Sequence, residues 1–346
     1  MKTRMRNLAG SMAVLLAATG VALAQSAPRR APAEPKRIAV YTIPASVQGR
    51  FDHLALDIPG HRLFLAAETA HEVLVFNSRN GRYEKAITGI GIPHDELYRP
   101  RIARLFVTDG GAGEVRVYNG HTLAQVGTVR LKVDSDSTTY NPRTQRLYVV
   151  NGGGDAHLSY SDVSVIDTNR DVKVADIQLP GDTVEQLTFD LAAHRLYAAN
   201  PPAGEVDVIS MDSNKLLARW KVTLGKGGSA IAVDPATHRL FLGCRSGVIV
   251  ICNTQTGKEL QTLKIARGID DLIFNPATLE MFAPCSSGTL FVYREDAPDR
   301  YSQVAAVATA RGAKNIAFDA GSGQLYTTVP PGPGRPGRVF VYQMAR

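Results

Sequence analysis

A turn-and-strand unit that returns seven times constrains this chain more than any other feature. In Asp234-Pro235-Ala236-Thr237-His238-Arg239-Leu240-Phe241, the Asp side chain accepts a backbone bond at the first corner and Pro fixes φ at the second, which opens a type I turn. Leu240-Phe241 then starts an extended, alternating run that Gly247 reverses into Val248-Ile249-Val250-Ile251. The marker of the unit recurs at Leu63, Leu105, Leu147, Leu196, Leu240, Met281 and Leu325, in steps of 42, 42, 49, 44, 41 and 44 residues. A period in the low forties with strand patterning in every unit predicts a radial array of small sheets. The expected fold is all-β, a single seven-bladed β-propeller of four-stranded blades.

The strands of the fifth unit are expected at Ser229–Val233 (innermost), Arg239–Gly243, Gly247–Ile251 and Leu260–Ile265. The last unit ends at Val339-Phe340-Val341-Tyr342, its third strand, while Arg37–Ile43 is a strand with no unit of its own. The N-terminal strand should therefore complete the last blade and leave no open edge. Two aromatic columns, one starting at Phe64 and Phe106 and the other at Tyr98 and Tyr140, are expected in the core between blades.

Three regions are expected: a signal peptide at 1–24, a Pro/Ala/Arg tether at 25–36, and the propeller at 37–346. Lys2, Arg4 and Arg6 precede a short apolar run, and Ala22-Leu23-Ala24 fits a small-x-small cleavage site. A mature protein starting near Gln25, periplasmic or secreted and without a membrane span, is the expectation. The formal charge of +7 is concentrated at the N-terminus: Lys2, Arg4 and Arg6 carry three of it, and Arg29, Arg30, Lys36 and Arg37 against Glu34 another three. The remaining 32 basic and 31 acidic residues make the body nearly neutral, which argues against nucleic acid as a partner. Cys244, Cys252 and Cys285 are an odd number. Cys244 and Cys285 share one strand end in adjacent units and could pair, with buried thiols as the other reading.

The candidate site comes from aligning the innermost strands. Five residues before the turn stand Asp52, His94, Asp136, Glu185, Ser229, Asp270 and Lys314, and four before it His53, Asp95, Ser137, Gln186, Ala230, Asp271 and Asn315. Nearer the turn the strands are mostly apolar, Glu96 excepted. The axial-mouth candidates are therefore Asp52, His53, His94, Asp95, Asp136, Glu185, Asp270, Asp271 and Lys314, with Lys314 as the counter-charge of Asp52. Replacing Asp52 and Asp270 with Asn is expected to relieve like-charge crowding. Adjacent strand residues should point to opposite faces. Two enlarged turns, Asn151 to Tyr160 and Pro330 to Gly337, should form lips over this mouth. Oxygen-rich clusters suit Ca²⁺ or Mg²⁺, and imidazole admits Zn²⁺ or Mn²⁺, so a divalent metal is one occupant the mouth could take.

The cores Arg62-Leu63-Phe64-Leu65-Ala66-Ala67, Arg146-Leu147-Tyr148-Val149-Val150-Asn151 and Arg195-Leu196-Tyr197-Ala198-Ala199-Asn200 resemble those of the YVTN-repeat β-propeller family, specifically its exported YncE-like members. Third strands such as Glu72-Val73-Leu74-Val75-Phe76-Asn77 fit that pattern, and Gly49-Arg50-Phe51-Asp52-His53-Leu54 and Asp270-Asp271-Leu272 look like elements of one subset of it. The resemblance spans about residues 37–346 and implies the propeller fold, with no shared catalytic set to carry over. A WD-type repeat does not fit, since the only Trp, Trp220, is followed by Lys221.

No Gly-x-Ser-x-Gly elbow, His-Glu-x-x-His helix, P-loop or Cys-x-x-Cys-His site occurs. The expected function is a monomeric binding or scaffold module holding a small ligand, cation or envelope protein at its mouth. A lactonase-like or metal-assisted hydrolase using the funnel carboxylates and His is the alternative. A third class, an envelope-surface or nucleic-acid binder, would work through the basic tether.

Overall fold

The computed structural model describes residues 34–344; the expected signal peptide and nearly all of the tether lie outside the described residues. Seven antiparallel four-stranded sheets follow one another along the chain. Their innermost strands are Leu54–Asp57, Pro93–Arg99, Ser135–Asn141, Leu187–Asp190, Gly228–Asp234, Ile273–Asn275 and Ile316–Asp319. The other strands of blade five are Arg239–Cys244, Val248–Asn253 and Glu259–Lys264, within one or two residues of the expected bounds.

The seventh blade is completed by the N-terminal strand, Lys36–Thr42, which pairs antiparallel with Arg338–Gln343. Val40 faces Phe340 and Tyr41 faces Val339, and Ile43 N–H donates to Gly337 O at 3.0 Å. The strand starts one residue earlier than the pattern suggests, because Lys36 still pairs with Gln343. Tyr41 locks the closure. Its ring stacks on Phe76 of blade one at 6.2 Å, and its hydroxyl donates to Ser78 O at 2.6 Å. Gly81, at φ 72°, lies so close beneath that ring that a Cβ there would collide with it.

The turn residues act as their sequence suggests. Asp234 accepts from Ala236 N–H at 3.0 Å and from Thr237 Oγ at 2.6 Å. Asp190, Asn141 and Asp57 accept comparable bonds from their own turns. His61, His194 and His238 each hold the left-handed last corner of such a turn, at φ 53°, 53° and 56°. That is a structural post which Gln145 and Leu279 fill elsewhere.

The two aromatic columns meet across the blade seams. Phe64 lies against Tyr98 at 5.9 Å, Tyr148 against Phe189 at 5.1 Å, Phe241 against Phe274 at 5.3 Å and Phe282 against Phe318 at 4.9 Å. In each pair the second-strand ring of one blade packs on the inner-strand ring of the next. Burying one such ring stabilises by roughly 2–3 kcal/mol, so every seam carries its own share of the core. Cys244, Cys252 and Cys285 are free and buried, and burial pushes all three thiols up to about 12.

Candidate functional site

The polar residues at the inner-strand entries do not alternate, and the backbone shows why. In blade one, Asp52 N–H donates to Ala66 O while Ala66 N–H donates to His53 O. Two residues thus oppose one, the signature of a β-bulge. Blade four repeats it with Glu185 and Gln186 against Ala199. Register shifts fall between Pro93 and Glu96 and between Ser135 and Thr138, bracketing His94-Asp95 and Asp136-Ser137. Regular pairing in blade one begins only at Leu54. The expectation that neighbours point to opposite faces therefore fails. Asp52 Oδ1 and His53 Nε2 end 3.8 Å apart in one cluster.

The candidates sort into two sets with different work. His53, Asp95 and Asp271 bind blades together. Asp95 accepts from Thr138 N–H at 2.7 Å and Thr138 Oγ at 2.8 Å in blade three. Asp271 accepts from Ile316 N–H of blade seven at 2.9 Å and from Gln186 Nε2 of blade four. His53 N–H donates to His94 O at 3.0 Å. The His53 imidazole lies 3.4 Å from Asp271 Oδ1 through Nδ1 and 3.3 Å from Ser137 Oγ through Nε2. Burial opposes its charge, but the carboxylates of Asp271, Asp52 and Asp95 outweigh that and hold the imidazolium well above the usual histidine range.

The other six form the mouth, in two groups. In the first, His94 Nδ1 is 2.8 Å from Asp52 Oδ2 and 3.8 Å from Asp136 Oδ1. One ligand atom from each of Asp52, His94 and Asp136 lies within 4.8 Å of the others. Burial works against the His94 cation, yet the Asp52 hydrogen bond and the charges of Asp136 and Asp52 raise it to about 9. Burial raises Asp136 to about 7, with His94 acting against the shift and Asp52 adding to it.

In the second group, Arg245 donates two 3.0 Å bonds to Glu185 and one of 2.8 Å to Asp270, and Lys314 binds the other Asp270 oxygen. Lys314 is therefore the direct partner of Asp270, not of Asp52. Asp270 belongs to the adjoining blade six, whereas Asp52 is already engaged by His94 and by Asn315 Nδ2 at 3.3 Å. For the same reason the acids are not simply crowded. Asp52 and Asp270 each face cations, so neutralising them removes ion pairs and does not relieve repulsion.

Arg245 was not among the sequence candidates. It sits at the tip of the second-to-third-strand turn of blade five, on the face that these turns share with the inner-strand entries. Charged residues at those turn tips were the available signal. Glu96 is the other addition: it is 5% exposed and neither carboxyl oxygen has a hydrogen-bond partner. The corresponding inner-strand positions hold Leu54, Thr138, Leu187, Ile231, Leu272 and Ile316.

Both enlarged turns pack on the inter-blade connections that lead into the inner strands. Gly152 N–H donates to Asp134 O, and both Gly153 and Gly154 N–H donate to Asp182 O. The turn after Pro330 packs on the connection between blades six and seven, with Pro330 against Gly312. An axial cavity of about 310 Å³ runs along the inner strands, with His53, Ser137 and Asp271 in its polar wall and Ile231 and Phe274 in its apolar one.

No protein-family model matches the chain, and no curated protein matches it. Solved structures do. A chain in the crystal structure of the mitotic checkpoint complex is similar at TM-score 0.71 and 16% identity, over 99% of each chain. A chain of the Kuenenia stuttgartiensis hydrazine synthase is similar at TM-score 0.67 and 15% identity, over 83% of this chain and 95% of that one. The chain is a seven-bladed β-propeller. At these identities the likeness is one of fold alone.

Proposed function

We propose that this propeller is a binding module of the YVTN-repeat type, exported from the cytoplasm, that holds a divalent cation at its axial mouth between Asp52, His94 and Asp136. One observation carries the reading: two carboxylates and an imidazole from three successive blades present ligand atoms within 4.8 Å of one another. Two oxygens and one nitrogen suit Zn²⁺ or Mn²⁺ better than the all-oxygen shells of Ca²⁺. The His94 proton serves as the placeholder. Its cation faces Asp52 and Asp136 at 2.8 and 3.8 Å, and a metal ion would face the same carboxylates once that proton leaves. The Arg245–Glu185–Asp270–Lys314 group is internally neutralised and frames the mouth without competing for the ion.

The test is calorimetric titration of chelator-treated protein with Zn²⁺ and Mn²⁺, beside His94→Ala. Saturable binding near one ion per chain, abolished by the substitution, is the expected result. Absence of binding in the wild-type protein overturns the reading.

A hydrolase is the second reading, and a separate observation favours it: Ser137 Oγ, His53 Nε2, His53 Nδ1 and Asp271 form a serine–histidine–aspartate sequence of contacts at 3.3 and 3.4 Å, facing the axial cavity. Acyl transfer would join Ser137 Oγ to the substrate carbonyl carbon as its proton passes to His53 Nε2, which would then hand that proton to the leaving group as the acyl–leaving-group bond breaks. That step needs a neutral imidazole, whereas three carboxylates hold His53 protonated, which places this reading second. Labelling of Ser137 by a fluorophosphonate would reverse the order.

A further inference from the structure

The Pro-rich turn of blade seven builds a cavity of its own. About 600 Å³ in volume, it lies between that turn and the connection from blade six, and none of the mouth residues lines it. Three arginines do: Arg311 on the connection, Arg335 in the turn and Arg338 at the start of the last strand. Among the described residues none of the three guanidiniums makes an ion pair or a side-chain hydrogen bond. Arg245 at the mouth, by contrast, is spent on Glu185 and Asp270. Three unpaired guanidiniums around one cavity are an uncompensated positive site.

Apart from Thr309, the rest of the wall is apolar and fixed. Val329, Pro330, Pro331, Pro333, Pro336 and Phe340 supply it. The turn is pinned at its tip by a reciprocal pair, Gly332 N–H to Arg335 O at 3.0 Å and Arg335 N–H to Gly332 O at 2.9 Å. Pro333 and Gly334, the latter at φ 68°, are the two corners between them, the pattern of a type II turn. At its end the turn is anchored by Gly337, where a Cβ would meet the Phe51 ring. Little ordering remains to be done on binding. Thr309, in the same wall, has a buried hydroxyl with no hydrogen-bond partner.

We infer that this cavity is a second ligand site, for a small organic anion: a phosphate or sulfate group held by Arg311, Arg335 and Arg338, joined to an apolar or aromatic body against the prolines and Phe340. The volume is that of a small-molecule pocket. Three cations around one cleft on a nearly neutral body favour a small anion over a polymer, which would need a continuous basic track.

Phenyl phosphate is the probe, titrated calorimetrically into the full chain beside inorganic phosphate and phenol. The expected result is saturable 1:1 binding of phenyl phosphate, about tenfold or more tighter than either half alone. Arg311→Gln with Arg335→Gln, both on exposed positions, should weaken it by about tenfold or more, as loss of charge-assisted hydrogen bonds does, with unchanged thermal melting. Asp136→Asn, at the mouth, should leave it unchanged. Equal affinity for phosphate and phenyl phosphate would overturn the inference, as would undiminished binding by the double variant. Tighter binding of a single-stranded oligonucleotide, lost in the same double variant, would assign the cavity to nucleic acid and also overturn it.

Discussion

The imidazole of His94 and the carboxylate of Asp52 meet across the seam between blades one and two, Nδ1 to Oδ2 at 2.8 Å. Burial raises Asp52, but the charge of His53 and the bond and charge of His94 outweigh it and bring it down to about 2. The depressed Asp52 contributes stability above its ordinary 3.8 that is lost as pH falls through about 2. The raised His94 contributes stability below its ordinary 6.5 that is lost as pH rises through about 9. The pair therefore stabilises fully only between those two ordinary values.

Asp52→Asn should lower unfolding free energy by about 2 kcal/mol at pH 6, since it leaves a buried cation short of its partner. At pH 10, where His94 is neutral, the loss should be much smaller. Urea unfolding at both pH values measures it, and equal losses would assign the stabilisation of Asp52 to His53 and not to His94.

Asp136 has the opposite linkage. Its folded value, about 7, lies above the ordinary 3.8, so the unfolded chain gives up this proton first and stability falls as pH rises between the two. Asp136→Asn should accordingly raise stability at pH 8, by about 1–2 kcal/mol after allowing for its partly exposed side chain, and change little at pH 4. A variant that is more stable yet binds no cation would mark Asp136 as held in place for function.

Glu96 stands where five of the other blades carry Leu or Ile and blade three carries Thr138. Burial, and then the Asp95 charge, hold its carboxyl well above the usual range, so it too costs more stability as pH rises past its ordinary 4.5. Glu96→Leu should stabilise the protein by about 1–3 kcal/mol at pH 8 and by less at pH 4. Thermal melts at both pH values check it; destabilisation at pH 8 would reveal an unseen partner for the carboxyl.

Closure by the termini is tested at Tyr41, which is 4% exposed and joins the N-terminal strand to blade one. Tyr41→Ala should cost about 3–5 kcal/mol, in the range of large-to-small substitutions of buried rings. A loss below about 1 kcal/mol would show that the strand adds little to the ring.

The fold was legible because its signals are local and repeated. Turn Asp, marker Leu and aromatic columns recur at one spacing, and the orphan strand at Arg37 had only one vacancy to fill. The mouth was legible as a set of positions but not as a set of pairs. Bulges at Asp52-His53 and Glu185-Gln186 break the alternation that a strand pattern assumes, so which side chains meet is decided by backbone geometry that residue types do not encode. Arg245 and Lys314 show the same limit. Their shared partner Asp270 depends on neighbouring blades, a relation between residues far apart in the chain.

Proton release on cation binding is the sharpest test of an ion held between Asp52, His94 and Asp136. Zn²⁺ is titrated into the chelator-treated protein at pH 7.5 in two buffers of different ionisation enthalpy, and the difference in apparent heat counts protons. With His94 raised to about 9 and Asp136 to about 7, binding between Asp52, His94 and Asp136 must displace the His94 proton, so about one proton per ion should appear. His94→Ala should remove both the binding and the release. Binding with no proton released, or release undiminished in His94→Ala, would place the ion elsewhere on the molecule.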